Sequence, residues 1–488
     1  MLSAYLRHHY PRPKLAQDTA TRSTSSTIQA APFKTFVYIG TLSFFLHPPA
    51  FLSACKEWAA GGMFSFWILS DLVIVVRGLT GRDIFYSKGM DFLSGYKLLN
   101  PQLKDFLPHT QLKEDQTWGP VLASFSRTGL LEKHYATVLN AIVACHESWG
   151  GQGSVDLFKS MNQMVFAISL PLCGCQHLAS NPKTVATLIN IFDRLDDGAT
   201  PSALLFPWVP TPARVRRFLA GIQLYRMTKS LVEFERQRSD IDEEDPLQDL
   251  IKQNYPVSEV ARIIASILFA SVVNTANVFA WALVYLEHHA EWKARVLAEV
   301  ATFLRENDLE NSTSLVNAMA GVPLDVLDEK LPSIELVVNE VLRFQLGPFI
   351  RRNIGGDIVQ DGVHIKNGAF IMFHAADLHH NPDIFPNPDR FDPERFLPEE
   401  VEGRKIHGTS FVGFGAGRHA CVGKRLALLE IKMMLVLLVA KYDFTIADET
   451  GASLRRIPSP NVVQLFKLPE PERPVHIQYR ARKGHSTY

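Results

Sequence analysis

The chain has 488 residues, of which 47% are hydrophobic, and it carries 50 basic and 50 acidic side chains. A chain of this length and composition can bury a large core, and its balanced charge gives no basis for expecting a nucleic-acid partner. Its five cysteines are few and odd in number, which argues against a disulfide framework and favours a reducing compartment.

The first 33 residues differ in composition from the rest of the chain. They are polar, they carry more basic than acidic side chains, and residues 19–27 are rich in Ser and Thr. This composition predicts that residues 1–33 are disordered or resemble an organellar transit peptide. No run of about 20 apolar residues opens the chain, so we expect no ordinary membrane anchor there. The folded domain is expected to span residues 34–488.

The next part of the chain predicts a short helix followed by strands over residues 34–95. Residues 73–76 are all β-branched, which favours a strand, and Asp71 interrupts the apolar stretch around them. Residues 100–260 show mostly helical patterns broken by Gly and Pro, including a helix at about 121–143 that contains Arg127.

Residues 257–287 are almost wholly apolar and predict one long helix. The length would suffice to cross a membrane. However, Ser271, Asn274 and Thr275 gather on one turn, and Ser271 and Thr275 share a face because they are four residues apart. Polar groups inside an apolar helix mark functional sites. We therefore favour a core helix over a membrane span.

A helix predicted at 331–343 carries Glu340 and Arg343 on one face. Taken alone, such a pair is most often a surface ion pair worth under about 1 kcal/mol. Two strands joined by a turn are predicted at 348–352 and 363–368, and Arg395 follows in the stretch 391–396.

Cys421 ends the glycine-rich stretch Phe414–Gly423, and an apolar helical pattern follows at 426–440. The glycines allow a tight turn and close approach to a flat partner. A thiolate at this place would lie at a helix N-terminus, where the dipole favours negative charge and lowers the pKa of a thiol. The pattern therefore indicates a metal-binding thiolate, with a buried, inert cysteine as the alternative.

This stretch resembles the haem-binding loop of the cytochrome P450 family. Phe414, Gly415, His419, Cys421 and Gly423 fill that pattern's Phe, Gly, basic, Cys and Gly positions. The resemblance implies a mainly α protein with minor β sheets, the cytochrome P450 fold, and a b-type haem with Cys421 as the axial ligand to iron. It also implies a single domain, because the motifs in residues 257–423 must meet at one cofactor.

The same resemblance implies that Glu340, Arg343 and Arg395 form the family's buried Glu–Arg–Arg triad, which would hold the cysteine loop to the core. The central helix and residues 346–350 show a weaker resemblance to the sterol 7α-hydroxylase and prostacyclin synthase branch of the family.

Further roles follow from the resemblance. An arginine of the strand at 348–352 would pair with a haem propionate, and we expect Arg352 in preference to Arg351. Arg127 would be a second propionate partner, although the family's Trp-x-x-x-Arg pattern is absent there. In the central helix, Asn274 stands at the family's acid position and Thr275 at its threonine, so Thr275 would help deliver protons during oxygen activation.

The implied reaction is monooxygenation of an apolar small molecule, such as a sterol, terpenoid or other secondary metabolite. O₂ would be the oxidant, and a separate donor such as NADPH–cytochrome P450 reductase would supply electrons, because the chain has no flavin or nicotinamide fingerprint. Asn274 has no titratable proton to supply to oxygen activation. An alternative function is therefore a reductase-independent isomerase or dehydratase that acts on an oxygenated lipid. A third alternative is a non-catalytic haem or membrane protein.

We expect a monomer on the cytosolic surface of the endoplasmic reticulum, with a soluble cytoplasmic protein as the other possibility. Basic residues cluster in the sequence on both sides of the cysteine loop. They indicate either a solvent-exposed charged face or a docking surface for an acidic reductase domain. They are Lys405, His407, Arg418, Lys424, Arg425 and Lys432.

Overall fold

The computed structural model describes residues 28–482 apart from short internal gaps. The gaps are 37–39, 60–61, 100–122, 180, 198–205, 207–208, 239–244, 311, 313, 361, 404–409 and 462–466. The described helices are α1 (Leu42–Leu46), α2 (Pro48–Trp58), α3 (Gly78–Phe85), α4 (Phe92–Leu99), α5 (Thr128–Lys133), α6 (Tyr135–Trp149), α7 (Leu157–Leu172), α8 (Gln176–Ala179), α9 (Pro182–Asp197), α10 (Pro212–Gln237), α11 (Pro246–Lys252), α12 (Val257–His288), α13 (Ala290–Glu306), α14 (Leu315–Ala320), α15 (Leu324–Lys330), α16 (Pro332–Gln345), α17 (Ala375–His379), α18 (Pro398–Gly403) and α19 (Lys424–Lys441). The strands are β1 (Gln29–Ala30), β2 (Thr35–Phe36), β3 (Gly40–Thr41), β4 (Phe64–Ile68), β5 (Asp71–Val76), β6 (Met90–Asp91), β7 (Gln152–Asp156), β8 (Pro348–Asn353), β9 (Ile358–Gln360), β10 (Val363–Ile365), β11 (Phe370–His374), β12 (Tyr442–Asp448) and β13 (Val475–Ala481).

The largest sheet has the strand order β2-β3-β4-β5-β11-β8-β6, with β1 paired to β4. The predicted strand at 73–76 is confirmed and pairs in parallel with residues 370–373 of β11, so the sheet joins the two halves of the chain. Antiparallel β8 then pairs with β11 and confirms the strand predicted at 348–352. Two smaller sheets have the orders β10-β9 and β12-β13-β7.

The sheet also corrects the predicted boundary at residue 33. Gln29 and Ala30 form β1, opposite Phe64 and Ser65 of β4, and the Ala31 N–H donates to the Ser65 carbonyl oxygen at 2.8 Å. Such pairing needs backbone groups rather than apolar side chains, so a polar composition does not exclude it. The sheet therefore includes residues that were assigned to the polar segment, while residues 1–27 lie outside the described part of the chain.

The predicted long helix is confirmed as α12, and most of its side chains are buried. Within the described residues it is the one helix long and apolar enough to cross a membrane. It packs instead against α7, α10 and α16. The helix has no charged side chain between Arg262 and Glu287, as expected for a helix enclosed by other elements.

The helix predicted at about 121–143 is divided in the structure. α5 ends at Lys133 and α6 begins at Tyr135, with His134 between them in a non-helical conformation. Residues 121 and 122 lie outside the described part. Arg127 therefore immediately precedes α5 instead of lying within a helix.

The last long helix, α19, starts directly after the cysteine loop. Residues 428–439 of this helix are all buried, and it packs on α6, α13 and α15. The loop is consequently attached to a helix that the core surrounds on every side.

Candidate functional site

The loop that carries Cys421 folds back on itself. The Cys421 N–H donates to the Phe414 carbonyl oxygen at 2.7 Å, and the Gly415 N–H donates to the Val412 carbonyl oxygen at 2.9 Å. Gly415 has a φ of +73°, and a Cβ atom at this residue would overlap the His419 carbonyl oxygen. Glycine is the residue that tolerates both conditions, so Gly415 fixes the shape of the loop.

The Cys421 side chain is exposed, yet surrounding protein raises the pKa of its thiol by desolvation. A residue can be both accessible and surrounded by protein when it lies on a concave surface. The N–H of Gly423 and the charge of Lys424 oppose this shift without overcoming it. Desolvation therefore acts on the pKa of this thiol in the opposite direction to the helix dipole.

Glu340, Arg343 and Arg395 are brought together in the core. Glu340 accepts hydrogen bonds from Arg343 Nε at 2.7 Å, from Arg343 Nη2 at 2.9 Å and from Arg395 Nε at 3.2 Å. The Asp392 N–H adds a fourth donor at 2.8 Å. Glu340 and Arg343 are fully buried, so this carboxylate is compensated within the protein and not by water.

The other N–H groups of Arg343 and Arg395 donate to backbone carbonyl oxygens. Arg343 donates to the carbonyl oxygens of His379 at 2.8 Å and Pro388 at 2.7 Å, and Arg395 donates to that of Pro386 at 3.1 Å. The triad therefore holds the segment that leads from α17 towards the cysteine loop.

His379, which is not among the predicted site residues, completes this connection. Its Nε2 accepts the Val412 N–H at 3.1 Å, while its own carbonyl oxygen is bound by Arg343. This bond fixes the neutral tautomer with a proton on Nδ1. Burial, reinforced by the charge of Arg343, lowers the pKa of His379 to about 3. His379 lies 12 positions before Phe391, and its contact with Val412 is not encoded locally.

The two arginines of β8 point in opposite directions. Arg351 is only 7% exposed. Its guanidinium lies 4.5 Å from the centre of the Phe85 ring and 4.7 Å from that of the Tyr86 ring. Its Nε has no hydrogen-bond partner among the described residues. Its charge helps to lower the pKa of nearby His419, although burial contributes more. Arg352 is exposed and donates to the Gly368 carbonyl oxygen at 3.2 Å. Side chains alternate along a strand, so Arg351 replaces Arg352 as the residue facing the cysteine loop.

Arg127 is exposed beside the loop rather than buried in a helix. Its neighbour Ser126 comes close to Gly423, which shows that this turn borders the cysteine loop. The placement leaves Arg127 as a prediction and adds no contact that would hold an acidic group.

The middle of α12 presents a narrow accessible strip. Ala270 and Asn274 are exposed and share a face because they lie four residues apart, whereas Thr275 is only 6% exposed. The role of Thr275 in proton delivery stays a prediction, and Asn274 is the neighbouring polar side chain on the open face.

Comparison with known proteins decides the family. The cytochrome P450 family model matches residues 139–471. This chain belongs to the cytochrome P450 family. Its fold agrees with the solved structure of retinoic acid-bound cyanobacterial CYP120A1, with a TM-score of 0.74 at 21% identity, covering 94% of this chain and all of that one. The predicted fold class and the haem cofactor are confirmed with the family.

The relatives include fungal monooxygenases and sterol demethylases. The cytochrome P450 monooxygenase nsrP of Aspergillus novofumigatus is 26% identical, over 83% of this chain and 80% of its own length. The monooxygenase AacuE of Aspergillus aculeatus is 25% identical, over 85% of each chain. The lanosterol 14-alpha demethylase of Cunninghamella elegans is 24% identical, over 90% of this chain and 88% of its own length. This P450 is therefore an oxidoreductase, and the weaker resemblance to the 7α-hydroxylase branch plays no part in that assignment.

The residues at the site fit a haem-thiolate centre. Cys421 offers an accessible sulfur on a loop that glycine lets approach a flat ring, and the buried Nε of Arg351 lacks a partner among the described residues. An unpaired guanidinium N–H in such a position suits an acidic group such as a propionate. His419 is committed in part to the Ser87 carbonyl oxygen, which its Nε2 approaches to 3.3 Å.

The basic cluster around the loop is mostly paired. Lys432 is buried, with Nζ 2.5 Å from a carboxylate oxygen of Asp328, so it is removed from the predicted patch. Lys424 lies 3.1 Å from Glu335, and Arg425 pairs with Asp325. Arg418, Lys424 and Arg425 remain exposed, whereas Lys405 and His407 lie outside the described residues. The surface therefore retains part of the predicted basic face, much of it already neutralised.

Proposed function

We propose that this P450 oxidises an apolar small molecule of sterol, terpenoid or other secondary-metabolite type, using O₂ and electrons from a separate NADPH-dependent reductase. The observation that carries the proposal is the strip of α12, which is accessible at Ala270 and Asn274 within a stretch free of charged side chains. An accessible surface of this kind is suited to an apolar ligand, since a solvent-facing helix surface normally carries charge. The name of the lanosterol 14-alpha demethylase among the relatives supports a substrate of this class.

Each residue of the site has a place in this mechanism. Haem held by a cysteine thiolate supplies electron density that favours O–O cleavage. Cys421 would hold the iron, Arg351 and His419 would hold the acidic side groups, and the Glu340 network would keep the loop from shifting. Protons would reach the reacting oxygen through water at the open face of α12, because the carboxamide of Asn274 can orient a water but has no proton to transfer.

Electrons would arrive from the side of the cysteine loop. Arg418 is exposed there, next to Val422, an apolar side chain that is 55% exposed. Lys424 and Arg425 are exposed as well, although each pairs with a carboxylate. Basic groups around a small apolar centre suit transient docking of an acidic reductase surface. Such docking should weaken as ionic strength rises, because exposed charges are screened by salt. NADPH–cytochrome P450 reductase is the proposed donor to a monomeric enzyme.

We place the enzyme on the cytosolic surface of the endoplasmic reticulum, with a soluble cytoplasmic location as the alternative. The sterol demethylases among its relatives and the apolar character of the proposed substrate support a location next to lipid. The helix α12 does not bear on this choice, because it is enclosed by other helices.

A reductase-independent isomerase or dehydratase is the second candidate. It is favoured by Asn274, whose carboxamide occupies the open face without a titratable proton. Such an enzyme would rearrange an oxygenated lipid and would need neither NADPH nor O₂.

Product formation per NADPH consumed separates these candidates. We expect the haem-loaded enzyme with a reductase to convert a member of a sterol and terpenoid panel in proportion to NADPH and O₂ used. Turnover of an oxygenated lipid in the absence of reductase, NADPH and peroxide would replace the monooxygenase by the isomerase.

A further inference from the structure

Side chains along α12 bind two consecutive residues of the C-terminal segment. The Leu468 N–H donates to Asn274 Oδ1 at 3.2 Å, and the Leu468 carbonyl oxygen accepts from Asn277 Nδ2 at 2.7 Å. The Pro469 carbonyl oxygen accepts from Trp281 Nε1 at 2.7 Å. We call Asn274, Asn277 and Trp281 the amide clamp. It fixes the backbone of Leu468 through both its donor and its acceptor.

The other two members of the clamp are buried. Asn277 and Trp281 have no exposed surface, Leu468 is 4% exposed, and Asn277 Oδ1 also accepts from Asn162 of α7 at 3.2 Å. Asn274 differs from its partners because it is exposed, although it lies on the same helix. The clamp thus has two buried members and one member on the accessible strip.

The clamp decides which way the Asn274 carboxamide faces. The oxygen and nitrogen of an amide are assigned from their partners, and a backbone N–H can bind only the oxygen. Oδ1 is therefore turned to Leu468, and Nδ2 is turned away from it. Nδ2 has no hydrogen-bond partner among the described residues. Two N–H donors are consequently held in a fixed direction on an otherwise apolar, uncharged strip.

We propose that Asn274 is the specificity-determining residue of this P450 and that Nδ2 recognises a carbonyl or hydroxyl oxygen on an otherwise apolar substrate. The inference rests on the proposed function, since it assigns a substrate feature to that same site. A fixed donor on an apolar surface discriminates between ligands because it remains unsatisfied when the ligand lacks an acceptor. Asn274 acts by binding the substrate and transfers no proton.

Spectral titration of the haem-loaded protein with a matched pair of terpenoids tests this proposal without turnover. Nootkatone is a sesquiterpene ketone, and valencene is the corresponding hydrocarbon. We expect the parent protein to bind the ketone about 10-fold more tightly, the factor that one hydrogen bond of about 1.4 kcal/mol provides. Equal affinity for the two compounds, or failure to bind the ketone, would contradict the proposal.

Two variants at Asn274 separate recognition from support of the segment. Asn274→Asp keeps an oxygen for the Leu468 N–H but replaces the free donor by an acceptor, so the ketone should lose its advantage while the thermal midpoint stays near that of the parent. Asn274→Leu removes both the acceptor for the Leu468 N–H and the free donor, and it should also abolish the preference for the ketone over the hydrocarbon. A preference that survives in both variants would overturn the assignment.

Thr275→Val serves as the matched control, because its side chain is buried one residue away. It should leave the ratio of the two dissociation constants unchanged, and a lost preference here would move the donor to Thr275. Product formed per NADPH in the same proteins keeps the outcomes distinct. NADPH-dependent oxidation without a ketone preference contradicts the inference alone, whereas ketone preference without any NADPH-dependent oxidation contradicts the proposed monooxygenase.

Discussion

The cysteine loop and the open face of α12 are built by different interactions. Behind the loop, Glu340 collects donors from Arg343 and Arg395, and each arginine continues to backbone carbonyls, so that buried charge is fully compensated. At α12 the contacts are neutral hydrogen bonds to a segment distant in sequence. Deleting one partner of the buried charge in the first region is expected to cost more stability than deleting one neutral hydrogen bond in the second.

The largest effect is expected for Arg343→Ala. It would leave the fully buried Glu340 with a single arginine and should cost about 3–5 kcal/mol of unfolding free energy. Little haem-loaded protein should be recovered, as measured by haem content and chemical denaturation. Lys229→Ala serves as a control, because it removes an exposed ion pair on α10. Normal haem loading in Arg343→Ala would show that the triad does not support the loop.

Acid should weaken the loop through His379. Its pKa is lowered to about 3 in the folded protein, so the unfolded chain takes up a proton as pH falls below about 6.5 and the folded one does not. The contribution of His379 to the free energy of unfolding is therefore complete above pH 6.5 and decreases toward pH 3, with about 2–3 kcal/mol lost at pH 4.5.

His379→Gln should flatten that decline in denaturation curves measured between pH 7 and 4.5. His146 is the matched control, because burial also lowers its pKa to about 3 but it packs on Tyr442, away from the cysteine loop. His146→Gln should flatten the curve without changing the pH at which the haem-thiolate spectrum is lost. An identical spectral transition in parent and His379→Gln would remove His379 from the support of the loop.

Glu430 of α19 is a buried carboxyl outside the triad, its Oε1 has no partner among the described residues, and burial raises its pKa to about 8. The folded state favours the protonated acid, so its contribution to stability is fully present below about pH 4.5 and is lost as pH rises to 8. Glu430→Gln should therefore stabilise the protein by about 1–3 kcal/mol at pH 7.5 and change little at pH 4.5. A destabilised variant at pH 7.5 would indicate that the carboxylate is compensated.

The smallest effect is expected in the amide clamp. Trp281→Phe removes the donor to the Pro469 carbonyl oxygen and should cost about 1–2 kcal/mol by thermal or chemical denaturation. Haem loading should remain normal, since the cysteine loop is untouched. A loss as large as that of Arg343→Ala would abolish the distinction between the two regions.

Sequence patterns predicted the parts of this site that are encoded locally. The Glu340–Arg343 pair lies within one helical turn and the loop from Phe414 to Gly423 is contiguous, so the resemblance to the family pattern could be recognised from local sequence. The long helix was predicted from its apolar run.

The remainder depends on tertiary placement. Arg351 and Arg352 are neighbours, and the pairing of β8 decides which one faces the loop. In the same way, the rotation of α12 within its surroundings exposes Asn274 and buries Thr275. The contacts of His379 with Val412 and of Asn274 with Leu468 join residues far apart in the chain. No local pattern contains that information.

The reduced carbon monoxide difference spectrum of the parent and of Cys421→Ser tests the central claim most directly. A hydroxyl is a poor ligand for haem iron, whereas a cysteine thiolate gives a strongly red-shifted carbon monoxide band. We predict this band in the haem-loaded parent and its loss in Cys421→Ser, with Cys145→Ser unchanged as a control thiol. A red-shifted band that persists in Cys421→Ser would contradict the assignment of Cys421 as the axial ligand.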